Sequence, residues 1–173
     1  MTTTRIWTSL LGGSLALTGF AIASCSSFQG AAPEDAISKV TSGECLECEL
    51  TGANFSGQSL KAVKLNRSNL SAAQLSGVDL SEALLDSANL QGADLSQAIL
   101  TKAALTNANL ENSNLTGADL SGAYLRGANL AGTDFTEANL SGANLTNTNL
   151  ETAILDGAVL EGATLPEGFV PGE

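Results

Sequence analysis

A large apolar residue recurs at every fifth position of this chain, and this period constrains the fold more than any other feature. From Leu50 to Leu165 the series runs without a slip through 22 leucines and two phenylalanines. The residue two positions earlier is alanine at 16 of these 24 places, and only Gln58 is large there. An α-helix repeats every 3.6 residues and a strand every two. The period therefore predicts a repeat architecture rather than an amphipathic helix or a simple sheet.

The residue between the small residue and the leucine is often Asn or Asp, as in the triplets at 88–90 and 93–95. This pattern resembles the pentapeptide-repeat family, A(D/N)LXX, over residues 48–167. The resemblance implies an all-β fold, a right-handed quadrilateral parallel β-helix in which each pentapeptide forms one side. Four repeats would complete a turn, so the 24 repeats would stack into about six coils. The leucine and the small residue would point inward, and the other three residues outward.

Such a column has no room for a substrate, because one large and one small side chain fill each side of every coil. Burial of each leucine contributes about 2 kcal/mol, and that burial depends on the neighbouring coils. The chain has no histidine, which removes the usual general base and the commonest metal ligand. It also shows no nucleophile–base pair, phosphate loop or metal cluster. We therefore expect a protein that is not an enzyme and that carries no cofactor or metal.

Both ends of the column need a cover, since exposed coil edges would pair with other chains. Residues 33–47 are predicted to form a capping helix and an entry turn, with Pro33 at the first helical position and Gly43 beyond the end. The apolar residues of this helix fall on one face: Ala36, Ile37 and Val40.

The C-terminal cover is predicted to be residues 168–173. Pro166 follows the last leucine and cannot donate a hydrogen bond to a next coil. Phe169 and Val170 are then expected to fold over the open end of the core.

Residues 1–24 have the pattern of a secretory signal, with Arg5 followed by an uncharged apolar stretch. The boundary Ile22-Ala23-Ser24-Cys25 resembles the lipobox of bacterial lipoproteins. That resemblance implies that Cys25 becomes the lipidated first residue, joined to the column by a tether at 25–32. An uncleaved membrane helix and cleavage by the ordinary peptidase are the alternatives. The prediction is an exported protein, lipid-anchored to the cell envelope membrane on its periplasmic or thylakoid-lumen side.

Two further cysteines, Cys45 and Cys48, form a C-x-x-C at the entry to the column. Both fall at positions that the repeat directs inward, which favours a structural role as buried thiols or as a disulfide that holds the cap. Redox or metal chemistry is the alternative. A zinc site would need two more ligands.

The outward positions also include an apolar strip. Leu84, Ala104 and Tyr124 are 20 residues apart, so they should stack on one face with Arg126 beside them and Ile99 on the preceding face. Exposed aromatic and aliphatic residues in a row can mark a contact surface, so these five residues are the candidate partner surface.

The net charge of −11 disfavours nucleic acid and suits a basic partner. The sequence thus favours a non-catalytic, membrane-anchored binding or structural protein that presents a rigid acidic surface to an unknown protein partner. One alternative is a DNA mimic that protects or inhibits gyrase, because some relatives imitate duplex DNA and form homodimers through their C-terminal ends. The export signal opposes it, since gyrase is cytoplasmic. The other alternative is an envelope redox protein that uses Cys45 and Cys48.

Overall fold

The structure, a computed structural model, describes residues 34–170 of the chain. The predicted signal peptide, the lipidation site Cys25, the tether and Pro33 lie outside the described residues, as do residues 171–173. The helices within 34–170 are α1, Glu34–Thr41, and one turn of 3-10 helix at Leu150–Thr152. The rest of this region consists of short turns joined by single parallel bridges.

The bridges show how the backbone coils. Each joins two residues that are 20 positions apart, from Glu44 with Lys64 to Asn144 with Thr164. Since a bridge occurs at almost every fifth residue, one coil contains four five-residue sides. Thr164 lies 120 positions after Glu44, or six times this 20-residue advance.

Backbone hydrogen bonds run in both directions between neighbouring coils. The Leu90 N–H donates to the Asn109 carbonyl at 2.7 Å, and the Asn109 N–H donates back to the Ala88 carbonyl at 2.9 Å. This is the ladder of a parallel sheet, reduced to one residue per side. In this arrangement the periodic leucine and the small residue two positions before it, here Leu90 and Ala88, point into the column.

Each regular side ends in a turn closed by a hydrogen bond between residues three apart, such as Ala93 N to Leu90 O at 3.0 Å. The third residue of the turn is left-handed, as Gly92 is with φ 64°, which is the feature of type II turns. Every such position from Glu47 to Gly162 has positive φ except Thr152. A β-branched residue disfavours that conformation, and here the chain forms the 3-10 turn instead.

The interior is filled by the periodic residues. The large residues from Leu50 to Leu150 are all buried, and Phe55 and Phe135 are both fully inside. Buried Ser and Thr at the small inward positions donate to backbone carbonyls, and no buried side-chain polar atom of the described region lacks a partner. The core is therefore largely apolar, and its few buried polar side chains are hydrogen-bonded.

The two ends of the column differ. At the N-terminal end Ala36 and Val40 of α1 are buried against the core. At the C-terminal end, three leucines of the final coil are half-buried: Leu155, Leu160 and Leu165.

Of the two residues expected to cover the C-terminal end, only Phe169 packs on the core. The prediction for Val170 is wrong, because its side chain is 56% exposed. Phe169 is held by a turn in which its N–H donates to the Pro166 carbonyl at 3.2 Å. The single ring of Phe169 therefore covers only part of the four-sided end of the column.

Candidate binding surface and N-terminal cap

The candidate partner strip lies on one face of the column. Bridges link Leu84 to Ala104 and Ala104 to Tyr124, so the three residues stand in adjacent coils. Leu84 is 38% exposed and Tyr124 54%, whereas Ala104 is half-buried between them. The strip is thus a row of apolar side chains along one wall of the column.

The other two residues of the candidate surface frame this strip. Arg126 is exposed and makes none of the ion pairs found among residues 34–170. Ile99 is 42% exposed, and it belongs to the face that precedes the strip, where it bridges Asp79 and Asp119. The five predicted residues therefore form one strip with a cation beside it and one apolar residue around the corner.

The opposite wall offers a useful comparison. Its outward column runs through Asn114 and Asp134 to Ile154, which is also exposed. Since four sides make a coil, this column lies two sides away from Tyr124. The outward residues of this wall are polar except for Ile154 in the last coil, whereas those of the strip are apolar.

The wall next to the strip carries a continuous amide ladder. Each asparagine side chain donates to the one a coil before it, and the first donates to the Glu49 carboxylate, over distances of 2.8 to 3.2 Å. The members are Asn69, Asn89, Asn109, Asn129 and Asn149. Each amide uses one N–H in the ladder, and the side-chain oxygens of Asn69, Asn89, Asn109 and Asn129 also accept from nearby backbone N–H groups. The ladder therefore gives this wall a structural role.

Charge is distributed unevenly along the column. Between residues 103 and 170 there are eight acidic side chains and one basic residue, Arg126, whereas residues 34–102 hold nine acidic and five basic. The pKa of Asp134 is lowered because the Thr136 hydroxyl and backbone N–H donate to its carboxylate. The pKa of Asp79 is lowered in the same way by Ser81. Hydrogen bonding thus favours the ionised form of both carboxylates. Because acidic residues outnumber basic ones most strongly after residue 103, the C-terminal half presents the more negative field.

At the N-terminal end the structure joins Cys45 to Cys48 by a disulfide. Cys45 is 2% exposed and its Sγ lies 3.7 Å from the Ala36 carbonyl oxygen of α1, whereas Cys48 is half-buried rather than fully inward. The bridge therefore lies at the junction between the cap and the first coil.

A third residue, Ser68, completes this junction, and sequence reasoning missed it. Its hydroxyl donates to the Cys45 carbonyl at 2.7 Å and accepts from the Cys48 N–H at 3.1 Å. In the regular turns these two backbone groups bond each other directly. The sequence feature that could have indicated this role is that Ser68, one coil after Cys48, occupies a small inward position where most repeats have alanine.

Three properties of the described residues bear on metal binding, surface grooves and membrane crossing. No group of three or more Cys, Asp or Glu side chains between 34 and 170 could hold a metal ion. A surface groove of about 410 Å³ lies on a corner of the first coils and is lined by Leu46, Asn66, Arg67, Asp86 and Ser87. Neither helix found in this part of the chain is long and apolar enough to cross a membrane.

A chain that closes a hydrogen-bonded coil every 20 residues and fills it with periodic leucines is a repeat protein of the parallel β-helix class. The family model for pentapeptide repeats matches in eight copies that together span residues 48–167. The chain belongs to the pentapeptide repeat family. Proteins of this family form right-handed quadrilateral β-helices and are generally non-enzymatic structural or binding proteins.

Two solved structures of pentapeptide repeat proteins are similar to the chain. A pentapeptide repeat protein (Rfr23) from the cyanobacterium Cyanothece 51142 is 29% identical, with a TM-score of 0.52, over 76% of this chain and 98% of that one. A pentapeptide repeat protein from the thylakoid lumen of Arabidopsis thaliana is 37% identical, with a TM-score of 0.45, over 62% and 69%. No curated protein matches the chain.

Proposed function

We propose that this protein is a non-catalytic binding or structural protein of the cell envelope, anchored to the membrane through a lipid on Cys25. In this role the rigid acidic column presents the strip of Leu84, Ala104 and Tyr124 to a protein partner. The observation that supports the proposal most directly is that Leu84 and Tyr124 are exposed on one wall of a filled column, with half-buried Ala104 in line between them.

The chemistry of the surface defines the partner. Burial of the Tyr124 ring needs an apolar patch opposite the strip, and aromatic residues are frequent anchors of protein interfaces. Arg126, which has no acidic partner among the described residues, calls for a carboxylate at the edge of that patch. The acidic C-terminal half favours basic residues around it.

Site-specific photo-crosslinking tests this surface. A benzophenone side chain placed at position 124 should give a defined heteromeric product in envelope fractions, and one placed at 114 on the opposite wall should not. Tyr124→Ala should weaken the interaction at least tenfold, whereas Ile154→Ala, which removes an exposed apolar residue from that opposite wall, should leave it unchanged. Equal products from positions 114 and 124 would refute the proposed strip.

The membrane anchor has a separate test. The mature protein should be recovered from membranes with a mass that begins at Cys25 and includes acyl chains, because two or more chains are needed for stable anchoring. Cys25→Ser should release it into the soluble fraction. An unmodified Cys25 in mature membrane-bound protein would overturn the lipid anchor while leaving the binding strip untested by that result.

We also propose that two copies associate through their C-terminal ends. Leu155, Leu160 and Leu165 remain half-buried there, and the N–H groups of Leu155 and Leu160 donate to no carbonyl within the described residues. Glu161 and Asp156 in the same coil would repel each other across the interface, so added salt should strengthen the dimer. Sedimentation at 50 and 500 mM NaCl tests this, and a monomer under both conditions at 100 µM protein would contradict it.

A second candidate is a DNA mimic that acts on gyrase, favoured by the acidic half of the column between residues 103 and 170. It predicts that the purified protein changes gyrase supercoiling at micromolar concentration. An unchanged supercoiling activity removes this candidate.

A further inference from the structure

The N-terminal cap contains the one disulfide found among the described residues, and its two cysteine residues differ in exposure. Cys45 is buried beneath α1, whereas Cys48 is half-buried. Leu46, which lies between them, is 48% exposed and lines the groove on the corner of the first coils. The loop that carries the disulfide thus lies on an accessible wall of the column.

The turn that the disulfide spans lacks the direct backbone hydrogen bond that closes the regular turns of the column. Its own backbone groups do not bond each other, and the Ser68 hydroxyl stands between them. The disulfide is the covalent link across this opened turn. Because Cys45 packs on Ala36, the turn also positions α1 over the core.

We propose that Cys48 is a thiol-exchange site through which an external dithiol opens the Cys45–Cys48 bond and loosens the cap. One thiolate of the dithiol attacks Cys48 Sγ, the sulfur–sulfur bond breaks, and its electron pair leaves on Cys45 Sγ, which takes up a proton. The second thiolate of the dithiol then attacks the mixed disulfide and releases Cys48, which is protonated in turn. The protein gains two electrons and two protons, and the dithiol is oxidised to its disulfide.

The consequence is confined to one end of the column. The amides of Cys45, Glu47 and Leu50 donate to the next coil, but the coils from residue 70 onward hold one another without the cap. In a quasi-one-dimensional array, loss of a terminal contact opens the end and leaves the interior closed. Reduction would therefore expose the first coil edge without unfolding the column. This proposal is independent of the partner strip and of the membrane anchor.

Accessibility is tested with single-cysteine variants at this site. Maleimide labelling is measured in tryptic peptide 40–61, which excludes Cys25. Cys48 in a Cys45→Ser protein should label at least tenfold faster than Cys45 in a Cys48→Ser protein. Equal rates, or faster labelling of Cys45, would overturn the assignment of Cys48 as the attacked sulfur.

Coupling to the cap is tested by hydrogen exchange of the wild-type chain with and without dithiothreitol. Reduction should speed exchange in residues 40–50 on the order of tenfold, given the chain entropy that a short disulfide loop restricts. Residues 90–130 should be unchanged, and the Cys45→Ser/Cys48→Ser variant should show fast cap exchange with or without the reductant. If the cap of the wild-type protein exchanges at the same rate in both states, or the whole column opens together, the proposal is wrong.

Discussion

Replacement of Leu100 by alanine should destabilise the column far more than replacement of Leu160. The two leucines stand on the same face, three coils apart, in the similar local sequences Ala-Ile-Leu and Ala-Val-Leu. Leu100 is fully buried between coils, whereas Leu160 is half-buried in the final one. The pair therefore isolates the effect of the coil above from the effect of local sequence.

The expected magnitudes follow from the burial. Removal of a fully buried leucine side chain loses its transfer free energy and leaves a cavity, which together cost about 3–5 kcal/mol. At Leu160 the side chain is already partly in water and leaves no enclosed cavity, so we expect about 1 kcal/mol. The loss at the end can also be absorbed by fraying of the last coil.

Equilibrium urea unfolding, followed by far-ultraviolet circular dichroism at low micromolar protein, measures both values. Equal losses for Leu100→Ala and Leu160→Ala in the monomer would refute the reasoning, since the final coil would then be as enclosed as the central ones. A cost at Leu160 that rises with protein concentration would instead show that a second copy covers this end.

Three further predictions concern the walls and turns. Asn109→Asp should destabilise the column by about 1–3 kcal/mol, because the carboxylate cannot donate to Asn89 as the amide does at 3.2 Å. Asn144→Asp is the matched control in the same unfolding assay, since no side-chain partner accepts from the Asn144 amide within the described region; equal losses would refute the ladder argument. Ser81→Ala should raise the pKa of Asp79 towards its ordinary value in a carboxyl NMR titration, and Ser121→Ala should not change it. Because the folded-state pKa of Asp79 is depressed, its carboxylate contributes stability above the unfolded value of about 4, and that contribution is lost as the pH falls through the folded value; a pKa unchanged by Ser81→Ala would contradict this cause. Thr152→Gly should convert the 3-10 turn into a left-handed turn and pair the backbone of Asn149 with that of Asn129. A crystal structure, or slower hydrogen exchange of the Asn149 amide, would show this change. A 3-10 turn that persists in the variant would contradict the view that the β-branched side chain of Thr152 causes it.

The sequence by itself determined the repeat, the inward positions and the outward columns. A period of five, with a small residue two positions before each leucine, excluded a helix and a simple strand, and the resemblance to the pentapeptide-repeat family implied that both residues point into a four-sided coil. The same arithmetic placed Leu84, Ala104 and Tyr124 in line, because residues 20 apart must stack once the coil has four sides. Pro33 and Gly43 also predicted a capping helix and entry turn within residues 33–47, and the structure has α1 at Glu34–Thr41 in this segment.

Only the tertiary structure decided how the equivalent repeats differ. Leu100 and Leu160 occupy the same place in the motif, but burial depends on the coil that lies above, and no coil follows the last one among the described residues. Ser68 was one small inward residue among many until the fold brought it against the opened turn of Cys45 and Cys48. A local pattern specifies the direction in which a side chain points, whereas its contacts depend on residues 20 positions away that meet only after the chain has coiled.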